Sequence, residues 1–299
     1  MPLPRTHAGG WWLVMWAIGL ISTSGCAPCS AAVHWKIQRQ PDEIVNGSPF
    51  LIEVHTSGKL QSLSGTWLDH QVYFSWDDTG KCWYGLAGTS LSTPPGTYSL
   101  QLAGELTDGT KASFSQPIPL GHASYPNAAV TVDQKFTEPT PAELEEIHKD
   151  KEIKQQVFAH FTPTREWTAG FQQPVIARIS DAFGATRTFN GKVESTHEGL
   201  DFAVPTGTAV LSSNRGTVVL ARSLYFEGNC VMIDHGQGLL SLYLHLSHIE
   251  VKEGDQVSRG QQIGLSGGTG RATGPHLHVA VRWQGVYVNP AALFSLRIP

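Results

Sequence analysis

Charge is scarce in this 299-residue chain and nowhere concentrated: 21 Lys and Arg stand against 25 Asp and Glu, a formal net charge of -4. Nucleic-acid binding runs on phosphate neutralisation by grouped cations, so the lack of a Lys/Arg cluster excludes that class of partner. Cysteine is equally scarce. Of the four, Cys26 and Cys29 sit in the N-terminal segment and Cys82 and Cys230 lie far apart in the body, with no CxxC pair outside "CAPC". That excludes a disulfide framework and a sulfur zinc site, and Cys82 and Cys230 read as two buried small thiols. The apolar run "WWLVMWAIGLI", Trp11 to Ile21, is too short for a comfortable membrane span.

That run has instead the length of a signal-peptide core behind Arg5, which predicts export to the periplasm or cell envelope, with residues 1–32 as the signal segment. The following "STSGCAPCSAAV" permits two endings: cleavage after Ser30-Ala31-Ala32, or lipid attachment and membrane anchoring at Cys26 behind Ser24-Gly25. The second is similar to a bacterial lipobox, except that Thr23 stands where that pattern usually has Leu.

Glycine (31) and proline (18) are plentiful, and the chain is long enough for two cores. The reading is mainly β. Residues 33–125 hold short alternating segments such as "PFLIEVHT", "CWYGLAG" and "GTYSLQLAGEL" broken by turn signals, which predict an accessory β-sandwich of immunoglobulin-like type, though without Cys-Trp-Cys spacing. His55 and His70 are isolated there and read as surface or half-buried residues. Residues 126–172 form a linker with a helix. Thr140, Pro141 and Glu143 supply its N-cap, first-turn proline and capping-box acid. Leu144, Ile147, Val157, Phe158 and Phe161 can share one apolar stripe, and "EEIHKDKEIK" reads as a solvated face. From residue 173 to 299 the text is β again, with tight turns at Glu253-Gly254 and Arg259-Gly260.

Ligand-type residues concentrate in this last part. "TGPHLHVAVRW" places His276 and His278 two apart in a strand, where alternation turns both imidazoles to one face. "STHEGLDFAVP" supplies His197 and Asp201, and "LLSLYLHLS" supplies His245. H-E-x-x-D nearly matches the H-E-x-x-H zinc helix, but Gly199, Pro205, Gly207 and β-branched neighbours deny a helix, so Glu198 need not face a metal. Catalytic zinc takes three protein ligands and leaves one position open, and His197, Asp201 and one histidine of the HLH pair meet that count. His245 and the other HLH histidine are then free to move a proton and steady an oxyanion. His235 and His248 read as hydrogen-bonded core or surface histidines, and Tyr243, two before His245 and so on its strand face, as core. "GGTGRATG", Gly267 to Gly274, lacks phosphate-loop spacing and reads as a flexible loop that delivers the HLH strand.

"HEGLD", "VMIDHGQGLLSLYLHLS", "VKEGDQVSRGQQIGLSGGTGRATGPHLHVAV" and "VNPAALF" together resemble the lysostaphin-type zinc endopeptidases that cut bacterial peptidoglycan, over roughly residues 174–294. The resemblance implies an antiparallel β metallopeptidase domain of barrel-sandwich type with one zinc per chain. It implies His197, Asp201 and His278 as zinc ligands and His245 and His276 as catalytic histidines, and the chain departs from the pattern at none of the five. "RSLYFEGNC" and "GGTGRATG" then become groove walls, with Tyr225 and Phe226 as substrate contacts. Peptidoglycan peptide stems are the implied substrate, with D-Ala to meso-diaminopimelate cross-links the expected bond and glycine bridges second. The alternative is a catalytically silent module that activates another wall hydrolase through a regulatory protein contact.

Overall fold

The computed structural model describes residues 33–299, which form one compact unit. The signal segment, with Cys26 and Cys29, lies outside the described residues. Among the described residues no helix is long and apolar enough to cross a membrane.

The first half is built from β1 (Trp35–Gln40), β2 (Ile44–Val45), β3 (Pro49–Thr56), β4 (Leu60–Trp67), β5 (His70–Asp77), β6 (Cys82–Gly88), β7 (Gly96–Leu106) and β8 (Lys111–Gly121). They hydrogen-bond in the order β1-β3-β6-β5-β4-β7-β8-β2. β5 pairs with β4 through His70–Tyr73 and with β6 through Phe74–Asp77, so one strand passes between two sheets and joins them. The alternating text of β4 is read out directly: Leu60, Leu63, Gly65 and Trp67 are buried and the residues between them exposed. Phe50, Ile52, Trp67, Leu100 and Ile118 fill the interior.

Then come β9 (Asn127–Val130), a 3-10 turn (Gln134–Phe136) and α1 (Pro141–Ala159). α1 starts at the capping box: Thr140 Oγ1 accepts from the Glu143 amide at 3.3 Å, and the Glu143 carboxylate accepts from the Thr140 amide at 2.8 Å. The anticipated apolar stripe is only half used. Ile153, Val157 and Phe158 pack on the second half of the chain, whereas Leu144 and Phe161 are exposed. Nor is the charged run purely solvated, because Asp150 accepts from the Tyr225 amide at 2.6 Å and Lys154 pairs with Glu227.

The second half comprises β10 (Ile179–Asp181), β11 (Thr186–Phe189), β12 (Val193–Thr196), β13 (Gly199–Phe202), β14 (Ala209–Leu211), β15 (Gly216–Leu224), β16 (Gly228–Asp234), β17 (Leu239–Leu246), β18 (His248–Ile249), β19 (Gln256–Val257), β20 (Gln262–Leu265), β21 (Leu277–Trp283), β22 (Val286–Val288) and α2 (Pro290–Ser295). Its main sheet runs β10-β13-β21-β17-β16-β15-β19, with β22 on β21. Glycines at positive φ, Gly254 (+91°) and Gly260 (+81°), make the two anticipated tight turns. β9 pairs parallel with β11, so the segment after the first half is already woven into the second.

One face of the main sheet packs Leu200, Phe202, Val231, Tyr243, Leu277 and Val279. The opposite face carries Cys230, Met232, Leu242 and Ala280, against which α1 lies. The first half's core continues into the second without a break: Trp167, Phe171, Val281, Trp283, Val288, Leu293, Leu296 and Ile298 belong to the same buried cluster as Phe50 and Trp67. Contact is close enough that a Cβ at Gly88 would lie 2.8 Å from Val288 Cγ1.

Candidate metal centre and groove

No helix carries the HEGLD stretch; it enters β13, the neighbour of β21. Asp201 lies directly opposite His278 in that ladder, while Leu200 and Val279, also opposed, turn to the core. Two-residue alternation therefore sends a carboxylate and an imidazole to the same open face. His276 stands just before β21, in an isolated bridge with Gly267, and its ring still meets the same carboxylate, as the spacing of the pair predicts.

Three ligand atoms converge. His278 Nδ1 is 2.8 Å from Asp201 Oδ1, His197 Nε2 is 3.1 Å from Asp201 Oδ1, and the two imidazole nitrogens are 3.1 Å apart. His197 Nδ1–H donates to the Ala182 carbonyl at 2.8 Å, which leaves Nε2 with its lone pair. The His197 Nε2 lone pair, His278 Nδ1 and a carboxylate oxygen thus converge on one point, an arrangement that suits a shared cation. Nitrogen and oxygen ligands of a tetrahedral divalent ion lie roughly 3.4 Å from one another, so the trio fits with an adjustment of a few tenths of an ångström. Among the described residues this trio and a second, Glu53, His55 and Cys82 on the first half, are the groups whose ligand atoms all lie within 4.8 Å of one another.

His245 reaches the groove by a route its strand text hides. Between Asn229/Leu246 and Val231/Tyr243 the β16–β17 register shifts, and His245 has φ +63°. The bulge breaks alternation, so His245 joins Leu242 and Leu244 on the groove face and does not share the core-facing side of Tyr243. A non-glycine residue held there is strained, and bulges beside active sites commonly re-aim a side chain. His245 Nδ1–H donates to the Thr269 carbonyl and His276 Nδ1–H to that of Gly274, both at 2.8 Å. Both rings therefore present an unprotonated Nε2. Their centroids are 4.8 Å apart, and His276 Nε2 is 3.9 Å from Asp201 Oδ1.

Burial, together with His278 and His276, pushes the His245 pKa down to about 3, and burial likewise lowers that of His278 against the pull of Asp201. At Asp201 burial acts upward but is outweighed by the adjacent His197 and His278, which hold the carboxyl well below the usual range. His235, by contrast, is fully buried away from the groove, donating to the Arg215 carbonyl and accepting from the Ser241 hydroxyl, each at 2.7 Å. Burial keeps it neutral, at about 4. The Tyr243 hydroxyl accepts from the Ser213 amide in the core.

Several residues of the site gave no sequence signal. Arg187 on β11 pairs with Asp201 Oδ2 and, through Nε at 2.9 Å, with Asp181. It thereby ties up the second carboxylate oxygen and leaves Oδ1 to the trio. Gly199 is required by contact rather than by φ: a Cβ there would lie 2.4 Å from His278 Nε2 and 2.6 Å from the Val279 carbonyl. Gly199→Ala is therefore expected to displace His278 and lower metal affinity at least tenfold, measured by competition with a chromophoric chelator; unchanged affinity means that the ring tolerates the shift.

The groove above the trio is lined by Arg187, Phe189, Phe226, His245, Arg271 and His278, with Lys154 of α1 and Glu198 at one end. Phe226 faces it. Tyr225 does not line it: its ring packs edge-on against Phe136 and its hydroxyl donates to the Lys135 carbonyl at 2.8 Å. The "GGTGRATG" wall is also firmly held, because Gly270 and Gly228 interlock so closely that a Cβ on Gly270 would sit 2.3 Å from the Gly228 amide. Cys82 and Cys230 are buried free thiols, and burial raises both pKa values.

Known proteins resemble this chain in sequence and in fold. Residues 195–290 match the model of peptidase family M23. Peptidoglycan DD-endopeptidase ShyA of Vibrio cholerae is 43% identical over 142 residues, which are 47% of this chain and 31% of ShyA. DD-carboxypeptidase/endopeptidase Mpg of Neisseria meningitidis is 41% identical over 119 residues, 40% of this chain and 27% of Mpg. The chain thus aligns with about a third or less of these relatives' length. A structure of an M23 protein from Pseudomonas aeruginosa superposes with a TM-score of 0.63 at 28% identity, covering 84% of this chain and 95% of its own, so the likeness extends beyond the matched domain. The mainly β second half, with its His/Asp trio, makes this chain a carrier of a peptidase family M23 domain.

Proposed function

We propose that the protein is a zinc-dependent endopeptidase that hydrolyses peptide cross-links of bacterial peptidoglycan, with D-Ala to meso-diaminopimelate as the bond. The observation that carries this is the trio His197, Asp201 and His278 with two further imidazoles aimed at it. The substrate class is supported by relatives named peptidoglycan DD-endopeptidases. A relative named both carboxypeptidase and endopeptidase supports the bond. The residue released by a carboxypeptidase bears a carboxylate beside the scissile nitrogen, and so does the diaminopimelate side of this cross-link.

The trio would hold one zinc, a choice that rests on the imidazole and carboxylate donor set with room for a non-protein ligand. When bound, zinc supplies Lewis acidity to the scissile carbonyl and to the attacking water. The chain's own residues supply the rest. Neutral His245 accepts a proton from water at Nε2 as the oxygen adds to the carbonyl carbon, and His276, which takes a proton at Nε2 from solvent before this step and keeps it throughout, donates a hydrogen bond to the developing oxyanion. Return of the proton to the nitrogen breaks the C–N bond and yields a free carboxylate and a free amine. Arg187 and the backbone carbonyls of Ala182, Thr269 and Gly274 keep the ligand and catalytic atoms aimed throughout. Such a substrate places the protein outside the cytoplasm, in line with the signal-like N-terminus.

The test joins metal analysis to product analysis. Purified residues 33–299 on isolated peptidoglycan are expected to hold about one zinc per chain and to convert cross-linked dimers to monomers, with chelator abolishing and zinc restoring the release. A zinc-loaded protein that cuts nothing supports instead a silent module that acts on another hydrolase.

A further inference from the structure

Arg271 stands out in the groove as a cation whose purpose the reaction above does not use. Its guanidinium lies over two aromatic rings, 4.4 Å from the centroid of Phe189 and 4.7 Å from that of Phe226. Among the described residues its side chain makes no hydrogen bond or ion pair to an acid. Glu227, the acid whose field reaches it, is engaged by Lys154, and Arg187 is occupied by Asp181 and Asp201. Arg271 lines both pockets that meet at His245, one bordered by His197 and His278 and the other by Asp201 and His276. Its backbone is fixed as well: its amide donates to the Phe226 carbonyl at 2.9 Å, and Thr269, two residues earlier, holds His245.

A guanidinium held against aromatic rings, with no acid bound to it, keeps its N–H fork available, and that fork matches a carboxylate in bidentate fashion. The geometry points to Arg271 as a subsite for a free carboxylate of the substrate, next to the scissile bond. The inference rests on the proposed peptidase reading and deepens it. In the D-Ala to meso-diaminopimelate cross-link, the carbon attached to the scissile nitrogen bears such a carboxylate, whereas a glycine bridge has none there. Arg271 would then select the first bond over the second and orient the leaving nitrogen, with Phe189 and Phe226 setting the plane of the fork.

The experiment uses two cross-linked muropeptide dimers that differ only in that carboxylate, free in one and converted to the carboxamide in the other. Wild-type protein is expected to cleave the free acid with a kcat/KM roughly ten- to hundredfold above the amide, the range of a charge-assisted hydrogen-bonded pair. In Arg271→Gln that ratio should fall to about 1, and in Arg271→Lys, which keeps the charge but loses the fork, it should lie between, with zinc content unchanged in both. A ratio near 1 in the wild type, or a ratio undiminished in Arg271→Gln, overturns the subsite and leaves the peptidase reading standing. Loss of zinc from both variants assigns Arg271 to the groove's packing and overturns it too. Failure of the wild type to cut either dimer overturns the peptidase reading, and this inference with it.

Discussion

His245→Ala is expected to leave zinc content unchanged and to lower kcat on cross-linked dimers by roughly a hundred- to ten-thousandfold, the usual contribution of a positioned acid or base. His278→Ala, by contrast, should lose metal and activity together. The contrast follows from the geometry. His278 Nδ1 sits 2.8 Å from Asp201 Oδ1 inside the trio, whereas His245 stands outside it, with Nδ1–H spent on the Thr269 carbonyl and only Nε2 offered to the groove. Truncating His245 removes a proton acceptor but no ligand. Metal analysis alongside steady-state kinetics separates the two roles. A His245→Ala protein depleted of zinc would make that residue a ligand, and one with undiminished kcat would remove it from the chemistry. His276→Ala should resemble His245→Ala, since its Nδ1 is likewise spent on a backbone carbonyl.

The second large effect concerns stability. Residues 173–299 produced alone are expected to aggregate, or to unfold more than about 10 °C below residues 33–299, which should melt in one cooperative transition. Val281, Trp283, Val288, Leu293, Leu296 and Ile298 are all buried in the described residues and share a cluster with the first half. Burying one such side chain contributes about 1.5–3 kcal/mol, against a total stability of about 5–15 kcal/mol for a typical domain. Exposing even part of this set offsets most of what the fragment could retain. Circular dichroism melts of both proteins, with light scattering to detect aggregation, decide the matter. A fragment as stable as the full chain would mean that the halves fold independently.

Local spacing was enough wherever the chemistry depends on neighbours in sequence. The alternation that turns His276 and His278 to one carboxylate, the capping box of α1 and the glycine turns at Gly254 and Gly260 each involve a few adjacent residues, and their geometry follows from backbone period and φ preference alone. The bulge that swings His245 away from the face of Tyr243 left no such mark, because it arises from how β17 meets β16 and not from the text of either. The same holds for Arg187 on Asp201, for Lys154 on Glu227, and for the free fork of Arg271: each is a pairing, or the want of one, across 14 to 82 residues, settled by side chains that meet only after the sheet has formed. The reach of the first half's core into β21, β22 and α2 was hidden for a related reason. A strand's buried face is legible as apolar, but the surface that covers it is chosen by shape and volume, which exist only in the folded chain. The sequence alone determined which residues are available for metal chemistry and which local turns place them; the tertiary packing decided which of their atoms face one another, and it is on that facing that the proposed chemistry rests.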